Sequence, residues 1–304
     1  MKSPEIHGVY GTPPAELATV PTGAVQFSPL IPGSQVLEKE QGTLASLVML
    51  APPGTVERRY ALAAALCALQ PGGELIGLAP KDKGGARLAG ELAAFGVDAN
   101  EVSKRHHRIC TATRPEKLSA INEALDEGAP RILPDLGLWS QPGVFAFDRM
   151  DPGTRLLIDT LPVPAGRGAD FGCGIGFLSR AVLMAPGVTE LTLIDIDRRA
   201  VACAEHNVVD PRARFVWADI RKGGAVPAGL DFIVTNPPFH DGGAEDRALG
   251  RAFIEEAATS LREGGSLWLV ANRHLPYEET LRRSFARVRL VAEQGGYKIY
   301  EAVR

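Results

Sequence analysis

Short apolar runs, each stopped by Gly, Pro or an acid, alternate along this chain with segments of helical periodicity. The runs Ser46–Leu50, Glu74–Leu78, Leu191–Asp195, Ala213–Asp219, Asp231–Thr235 and Ser266–Ala271 read as strands, those at Asp231–Thr235 and Ser266–Ala271 as buried ones. Between them, residues 57–69, 86–95, 177–184, 198–207, 252–261 and 278–285 carry helical spacing. That alternation predicts an α/β fold with a largely parallel sheet. Residues 288–292 and 298–303 flank Gly295-Gly296 and predict a closing antiparallel pair. Arg105–Thr111 reads as one strand and residues 117–125 as a helix. Residues 1–43, rich in Gly, Pro and polar positions, read as a loosely structured lead-in without a motif. Leu133–Asp151 reads as a turn or hairpin followed by a helix cap, with a short helix over 154–160.

The pattern occurs twice. Leu50-Ala51-Pro52-Pro53-Gly54 lines up with Thr235-Asn236-Pro237-Pro238-Phe239. Pro71–Pro80 lines up with Glu263–Asn272, and His107–Ala112 with Tyr297–Ala302. The order is kept and the offset stays between 185 and 192 residues. Gly-Gly turns are common to α/β units, but three matches in register point to a duplicated domain. The boundary is expected near residue 132, giving domains 1–132 and 133–304. The first copy carries Ala51 where the second has Asn236, and Gly54 where it has Phe239. It also shows no glycine-rich loop before its strand. It is therefore expected to be a non-catalytic half, kept for folding or substrate binding.

Composition narrows the class. An apolar content of 45% with 23% charged residues is that of a soluble globular protein. The N-terminus has no apolar signal core, and the run Leu44–Ala51 is too short to cross a bilayer. Cys67, Cys110, Cys173 and Cys203 show neither metal-ligand spacing nor a disulfide framework and read as reduced cytosolic thiols. A net charge of −3 argues against non-specific coating of nucleic acid. It leaves room for a local basic patch, for which Lys104-Arg-His-His-Arg108, Arg114 and Lys117 are candidates, with Arg58, Arg59, Lys81, Lys83 and Arg87.

Candidate chemistry gathers at strand ends of the second copy. Asn236-Pro237-Pro238-Phe239 leaves a buried strand with its backbone stiffened by two prolines. The Asn236 side-chain oxygen and the Pro237 carbonyl can accept the two hydrogens of a planar amine. Phe239 can stack on the base that bears it. Upstream, Asp170-Phe-Gly172-Cys-Gly174-Ile-Gly176 follows a strand and opens a helix. Glycines there let the backbone approach a ligand. The position where a dinucleotide fingerprint needs its third glycine is Phe177, which favours a nucleoside ligand without a pyrophosphate, S-adenosylmethionine (SAM) being the usual case. Asp195 ends the next strand and is placed for a ribose diol. Asp197 reads as the cap of the following helix. Asp219 ends the third strand, where it can bond an adenine amine with the Ile220 amide near the ring. The polar stretch His240–Asp246 reads as a candidate lid, and His240 as a possible base.

Asp170-x-Gly-x-Gly-x-Gly, Asp195, Asp219 and Asn236-Pro-Pro-Phe, in this order, resemble a class I SAM-dependent methyltransferase. The longer string Asn236-Pro-Pro-Phe-His-Asp-Gly, with Pro142-Gly-Val-Phe145 upstream and Ala271-Asn-Arg-His-Leu-Pro-Tyr277 downstream, is more specific. It resembles the bacterial ribosomal RNA guanine-N2 methyltransferases, the small-subunit methyltransferase C type and its large-subunit relative. The resemblance implies two tandem Rossmann-like domains, the second a seven-stranded SAM-binding sheet and the first a degenerate copy. It implies SAM as cofactor, with Asp170, Gly172, Gly174, Gly176, Asp195, Asp219, Ile220 and Asn236 around it. It implies methyl transfer to the N2 amine of a guanine in 16S ribosomal RNA, with Asn236, Pro237 and Phe239 at the amine. The partner is then ribosomal RNA or a ribosomal subunit, the protein a cytoplasmic monomer, and no metal or membrane is involved. Because the motif reads a planar NH2 group, a guanine of 23S RNA, adenine N6 and protein glutamine stay open as substrates. So does a non-catalytic, SAM-binding assembly factor.

Overall fold

The computed structural model describes residues 5–238, 240–241, 244–245 and 247–304, and side chains outside residues 239–247. The chain forms two compact units, Met1–Ala129 and Pro130–Arg304.

The first unit contains β1 (Ile6–Tyr10), β2 (Val25–Gln26), β3 (Leu44–Leu50), α1 (Thr55–Ala68), β4 (Leu69–Pro80), α2 (Leu88–Ala94), β5 (Ala99–Lys104), β6 (His107–Thr113) and α3 (Ile121–Gly128). Its six strands form one sheet in the order β2-β1-β3-β4-β6-β5. The first four run parallel, and β6 and β5 close the edge antiparallel. The Ala- and Leu-rich α1 buries Ala61 through Leu66, so the sheet is covered closely by a helix with little side-chain bulk.

The second unit contains β7 (Arg131–Leu133), β8 (Leu138–Ser140), α4 (Pro152–Thr160), β9 (Gly166–Phe171), α5 (Phe177–Leu183), β10 (Val188–Asp195), α6 (Arg198–Asn207), β11 (Ala213–Trp217), β12 (Leu230–Thr235), β13 (His240–Asp241), β14 (Ala244–Glu245), α7 (Arg247–Ser260), β15 (Leu261–Asn272), α8 (Glu278–Ser284), β16 (Arg287–Gln294) and β17 (Tyr297–Val303). Seven strands form its main sheet in the order β11-β10-β9-β12-β15-β17-β16. Apart from β11, strand order and direction repeat those of the first unit, with β9 in the place of β1 and β12 in that of β3.

Separate clusters fill the two faces of this sheet. One gathers Phe171, Ile194, Ile233, Phe253 and Leu269, the other Leu157, Leu193, Phe232, Val234 and Trp268. The alternation of neighbours along β12 into opposite clusters is the period of a strand buried on both faces. Gly168 of β9 is required by this packing. It pairs with Phe232, and a Cβ there would run into the Phe232 ring.

Two sequence expectations are corrected. Within residues 5–43 the expected loose lead-in is replaced by two sheet strands, β1 and β2, and β1 is the counterpart of the central β9. Gly8 makes room for Leu47 and Phe27, and the Gln26 side chain bonds the backbone of Gly11, Phe27 and Ser28, so little apolar patterning is needed. The strand expected over Arg105–Thr111 is β6, but it begins at His107. Arg105 and His106, at φ 47° and 60°, form the turn between β5 and β6. Positive φ at two such residues is uncommon and carries no Gly or Asn signal.

Candidate active site

Strand order in the second unit reverses between β9 and β12: β10 and β11 lie to one side, β15 to the other. In an open α/β sheet the crevice at such a reversal, beyond the carboxyl ends of the strands, is where ligands bind. The loop Gly172–Gly176 leaves β9 there, and Asn236 leaves β12. Thr235, fully buried, ties the two exits by donating to the Phe171 carbonyl at 2.8 Å. The Asn236 carbonyl comes within 3.8 Å of where a Cβ on Gly172 would stand.

The glycine loop is shaped for close approach. Gly172, Gly174 and Gly176 have φ of 72°, 54° and 94°, a region that side chains rarely adopt. A Cβ on Gly174 would point into open space, whereas one on Gly176 would strike Val208 at 2.7 Å. So Gly174 leaves a surface bare, while Gly176 serves packing. The loop is held from three sides. Its Gly172 and Cys173 amides donate to the Ile194 carbonyl. Gly174 donates to Asp195 Oδ2 at 2.8 Å. The Asn207 amide bonds both the Ile175 carbonyl and the Trp139 backbone.

The acids ending three strands are in three different states. Asp170 is 1% exposed and accepts from the Ser179 hydroxyl at 2.5 Å, so its carboxyl ties β9 to α5. Burial pushes its pKa up to about 7. Asp195 is half-buried and accepts from the Gly174 and Asp197 amides. Burial raises its pKa to about 6 against those hydrogen bonds. The Ile196 backbone amide also bonds this carboxyl. Asp197 caps α6 through the Arg199 amide. Asp219 is buried and gripped by Arg221, Oδ1 from Nε at 2.8 Å and Oδ2 from Nη2 at 3.0 Å. That hydrogen-bonded guanidinium holds its carboxyl below the usual range. Ile220 sits in the core beside Phe253 and Ile194. The structure thus brings Asp195 and the glycines together and turns Asp170 inward.

At the β12 exit, Pro237 is buried. Asn236 Nδ2 donates to Asp151 Oδ2 at 2.9 Å and to Thr154 Oγ1 at 2.8 Å. Its Oδ1 is buried and has no hydrogen-bond partner among the described residues. A buried amide oxygen left unpaired costs about 1–3 kcal/mol, which marks a place built for an incoming donor. Phe239 and the side chains of the 240–246 stretch, His240 included, lie outside the described residues. Asp151, Thr154 and Asn207 are absent from the site residues expected from sequence. Asp151-Pro152-Gly153-Thr154 has the look of an N-cap with proline at N1, and it is one: Asp151 accepts from the Thr154 amide at 2.8 Å. Nothing local in that pattern shows that the same oxygen also reaches Asn236.

The corresponding exit in the first unit is closed. Arg58, 1% exposed, donates to the carbonyls of Pro52 and Pro53 at 3.3 and 2.8 Å and forms a two-bond ion pair with Glu91. This removes Arg58 from the expected basic patch, and two other members of it are engaged. Arg58 cannot reach a phosphate, Arg114 is turned onto the Leu66 carbonyl, and Arg108 is paired with Glu101. Among the described residues no cluster of His, Cys, Asp or Glu could hold a metal ion, and no helix is long and apolar enough to cross a membrane.

The methyltransferase small domain family model matches residues 135–301. The chain is 35% identical over 268 residues to the ribosomal RNA small subunit methyltransferase C of Pseudomonas paraeruginosa, covering 86% of this chain and 79% of that protein. It is 34% identical over 268 residues to the protein of the same name from Shewanella loihica, covering 85% and 77%. The solved structure of a T. thermophilus 16S rRNA N2 methyltransferase, in complex with AdoMet and guanosine, has the same fold. It superposes with a TM-score of 0.80 at 23% identity, over 100% of this chain and 89% of that one. Strand order, a glycine loop facing an Asn-Pro-Pro exit, and identity along most of both chains agree: this chain belongs to the ribosomal RNA small subunit methyltransferase C family.

Proposed function

We propose that this protein methylates the exocyclic N2 amine of a guanine in 16S ribosomal RNA, using S-adenosylmethionine. The observation that carries the reading is the orphaned, buried Oδ1 of Asn236 at the sheet's reversal point. Its two relatives named above are small-subunit RNA methyltransferases, which supports the choice of RNA.

The residues present fit the cofactor. Gly174 leaves bare backbone where a side chain would intrude. Gly172 and Gly176 complete the loop, and the Asp195 carboxyl stands beside it for ribose hydroxyls. Asp219 and Ile220 stand at the next strand end, where an adenine amine would be read; Asp219 shares its oxygens with Arg221. Asp170 acts at one remove, through Ser179. When bound, SAM supplies an electrophilic methyl group already activated by its sulfonium.

The protein's own work is orientation. Asn236 Oδ1 accepts one N–H of the guanine amine and the Pro237 carbonyl accepts the other, which turns the nitrogen lone pair out of conjugation with the ring. Holding that lone pair in line accounts for much of the rate. Phe239 stacks on the guanine, which must first leave its helix. The methylated nitrogen then sheds its extra proton to water. The first unit is non-catalytic, since Ala51 offers no acceptor and Arg58 occupies the carbonyls of Pro52 and Pro53. The protein works as a cytoplasmic monomer on ribosomal RNA or a ribosomal subunit.

The test is methyl transfer from labelled SAM to small subunits, large subunits and naked ribosomal RNA, followed by nucleoside analysis. N2-methylguanosine in 16S RNA is the expected product. Label on adenine, on 23S RNA or on protein would move the activity to another amine, and SAM binding without any transfer would leave an assembly factor.

A further inference from the structure

The amide of Asn236 has two ends, and only one of them suits the proposed chemistry. Oxygen toward the substrate accepts an N–H; nitrogen toward it would present a donor to a donor. An unconstrained amide flips between these states. Here the flip is prevented. Asp151 Oδ2 lies 2.9 Å and Thr154 Oγ1 2.8 Å from one end of the amide. An ionised carboxylate can only accept, so that end is the NH2 group, and both its hydrogens are used. Oδ1 is left facing the other way, buried and unpaired among the described residues.

Asp151 is itself held by more than this contact. The same Oδ2 accepts from the Thr154 amide at 2.8 Å as the cap of α4, and the Tyr297 hydroxyl also bonds the Asp151 carboxyl. The Tyr297 ring lies over Gly153, where a Cβ would come within 2.7 Å of it. Three segments thus converge on one carboxylate: α4, β17 and the β12 exit. A helix cap needs only the first. We infer that Asp151, seconded by Thr154, is the positioning residue that locks Asn236 with its oxygen toward the target amine. This restricts substrates to groups that donate a hydrogen there, and excludes ring acceptors such as guanine O6 or N7.

The inference rests on the proposed amine methylation, so its test has one arm independent of turnover. Asp151→Ser keeps an N-cap oxygen for α4 but is too short to reach Asn236, whereas Asp151→Asn keeps an oxygen of the right reach. Thr154→Val removes the second acceptor at nearly constant volume. The full-length variants are compared by thermal melting, by SAM affinity, by kcat on 16S RNA and by the 15N-detected side-chain amide of Asn236, assigned by its absence in Asn236→Ala. The expected result is folded proteins with SAM affinity near wild type. Asp151→Ser then loses kcat by about 10²-fold, and the Asn236 amide protons lose exchange protection. Asp151→Asn recovers most of both, and Thr154→Val lies between. Equal kcat for the Ser and Asn variants, or unchanged protection of the Asn236 amide in Asp151→Ser, would overturn the role. If the wild type methylates no guanine, the proposed function fails, and the amide signal still decides whether Asp151 locks Asn236.

Discussion

Arg58 donates to the Pro53 carbonyl across 2.8 Å, in the segment of the first unit that repeats the Asn-Pro-Pro exit of the second. It also reaches the Pro52 carbonyl, at 3.3 Å. Pro52 aligns with Pro237, whose carbonyl is assigned to the target amine. One copy therefore satisfies with its own guanidinium what the other keeps for a ligand. A Cβ on Gly84 would collide with Arg58, so the loop after β4 is fitted to the plug as well. The two exits thus differ: Arg58 fills the first, and the second keeps an acceptor unpaired among the described residues.

The first prediction follows from the burial of that ion pair. Arg58→Ala leaves the Glu91 carboxylate, 10% exposed, without its cation. The expected loss is about 3–5 kcal/mol of unfolding free energy, read by urea denaturation. Replacing both partners, as Arg58→Met with Glu91→Leu, is expected to cost far less, because no charge is stranded. Neither change creates an acceptor at Ala51, so neither confers transfer activity on the first unit.

A second prediction concerns Asp170. Its carboxyl is buried and its pKa raised by that burial to about 7. A carboxyl whose folded pKa exceeds its unfolded value binds an extra proton in the folded state, so its contribution to stability falls as pH rises through that window. Asp170→Asn keeps a polar partner for Ser179 and carries no charge. Its advantage in melting temperature over wild type is expected to grow as pH rises from about 4 to about 7 and then to level off. A difference independent of pH would contradict the assignment.

Asp195 supplies a third. Its pKa, raised by burial to about 6, places ionisation in the accessible range. An ionised carboxylate accepts ribose hydroxyls more strongly than a neutral one. SAM affinity, measured by calorimetry, is expected to rise several-fold, roughly 3- to 10-fold, between pH 5 and 7.5 and then level off. Asp195→Asn is expected to bind more weakly and to lose that dependence.

Much of this architecture was legible beforehand, for identifiable reasons. Strands such as β12 and β15 are buried on both faces and show as continuous apolar runs, and the repeated Gly-Gly and Pro-Pro offsets reveal the duplication. Asp197 declares itself as a cap by preceding a helical pattern. What escaped were features whose signal is tertiary. β1 and β2 are short and lean on the Gln26 side chain. The β5–β6 turn uses Arg105 and His106 where Gly or Asn would announce it. Asp170 looks like a ligand residue, yet only the fold shows its carboxyl committed to Ser179. Asp151 stands 85 residues from Asn236, so sequence shows the cap and hides the contact.

The most direct test of the account is the single-turnover rate of N2-guanine methylation by Asn236→Ala on 16S RNA at saturating SAM, with SAM binding measured alongside. The account predicts a rate reduced by about 10²-fold or more, because the amine is no longer held in line. Saturating SAM keeps any change in cofactor affinity out of the comparison, since Asn236 is also expected to border the cofactor. A rate within about 3-fold of wild type, on a scale where 10-fold is 1.4 kcal/mol, would contradict the claim that Asn236 Oδ1 orients the amine.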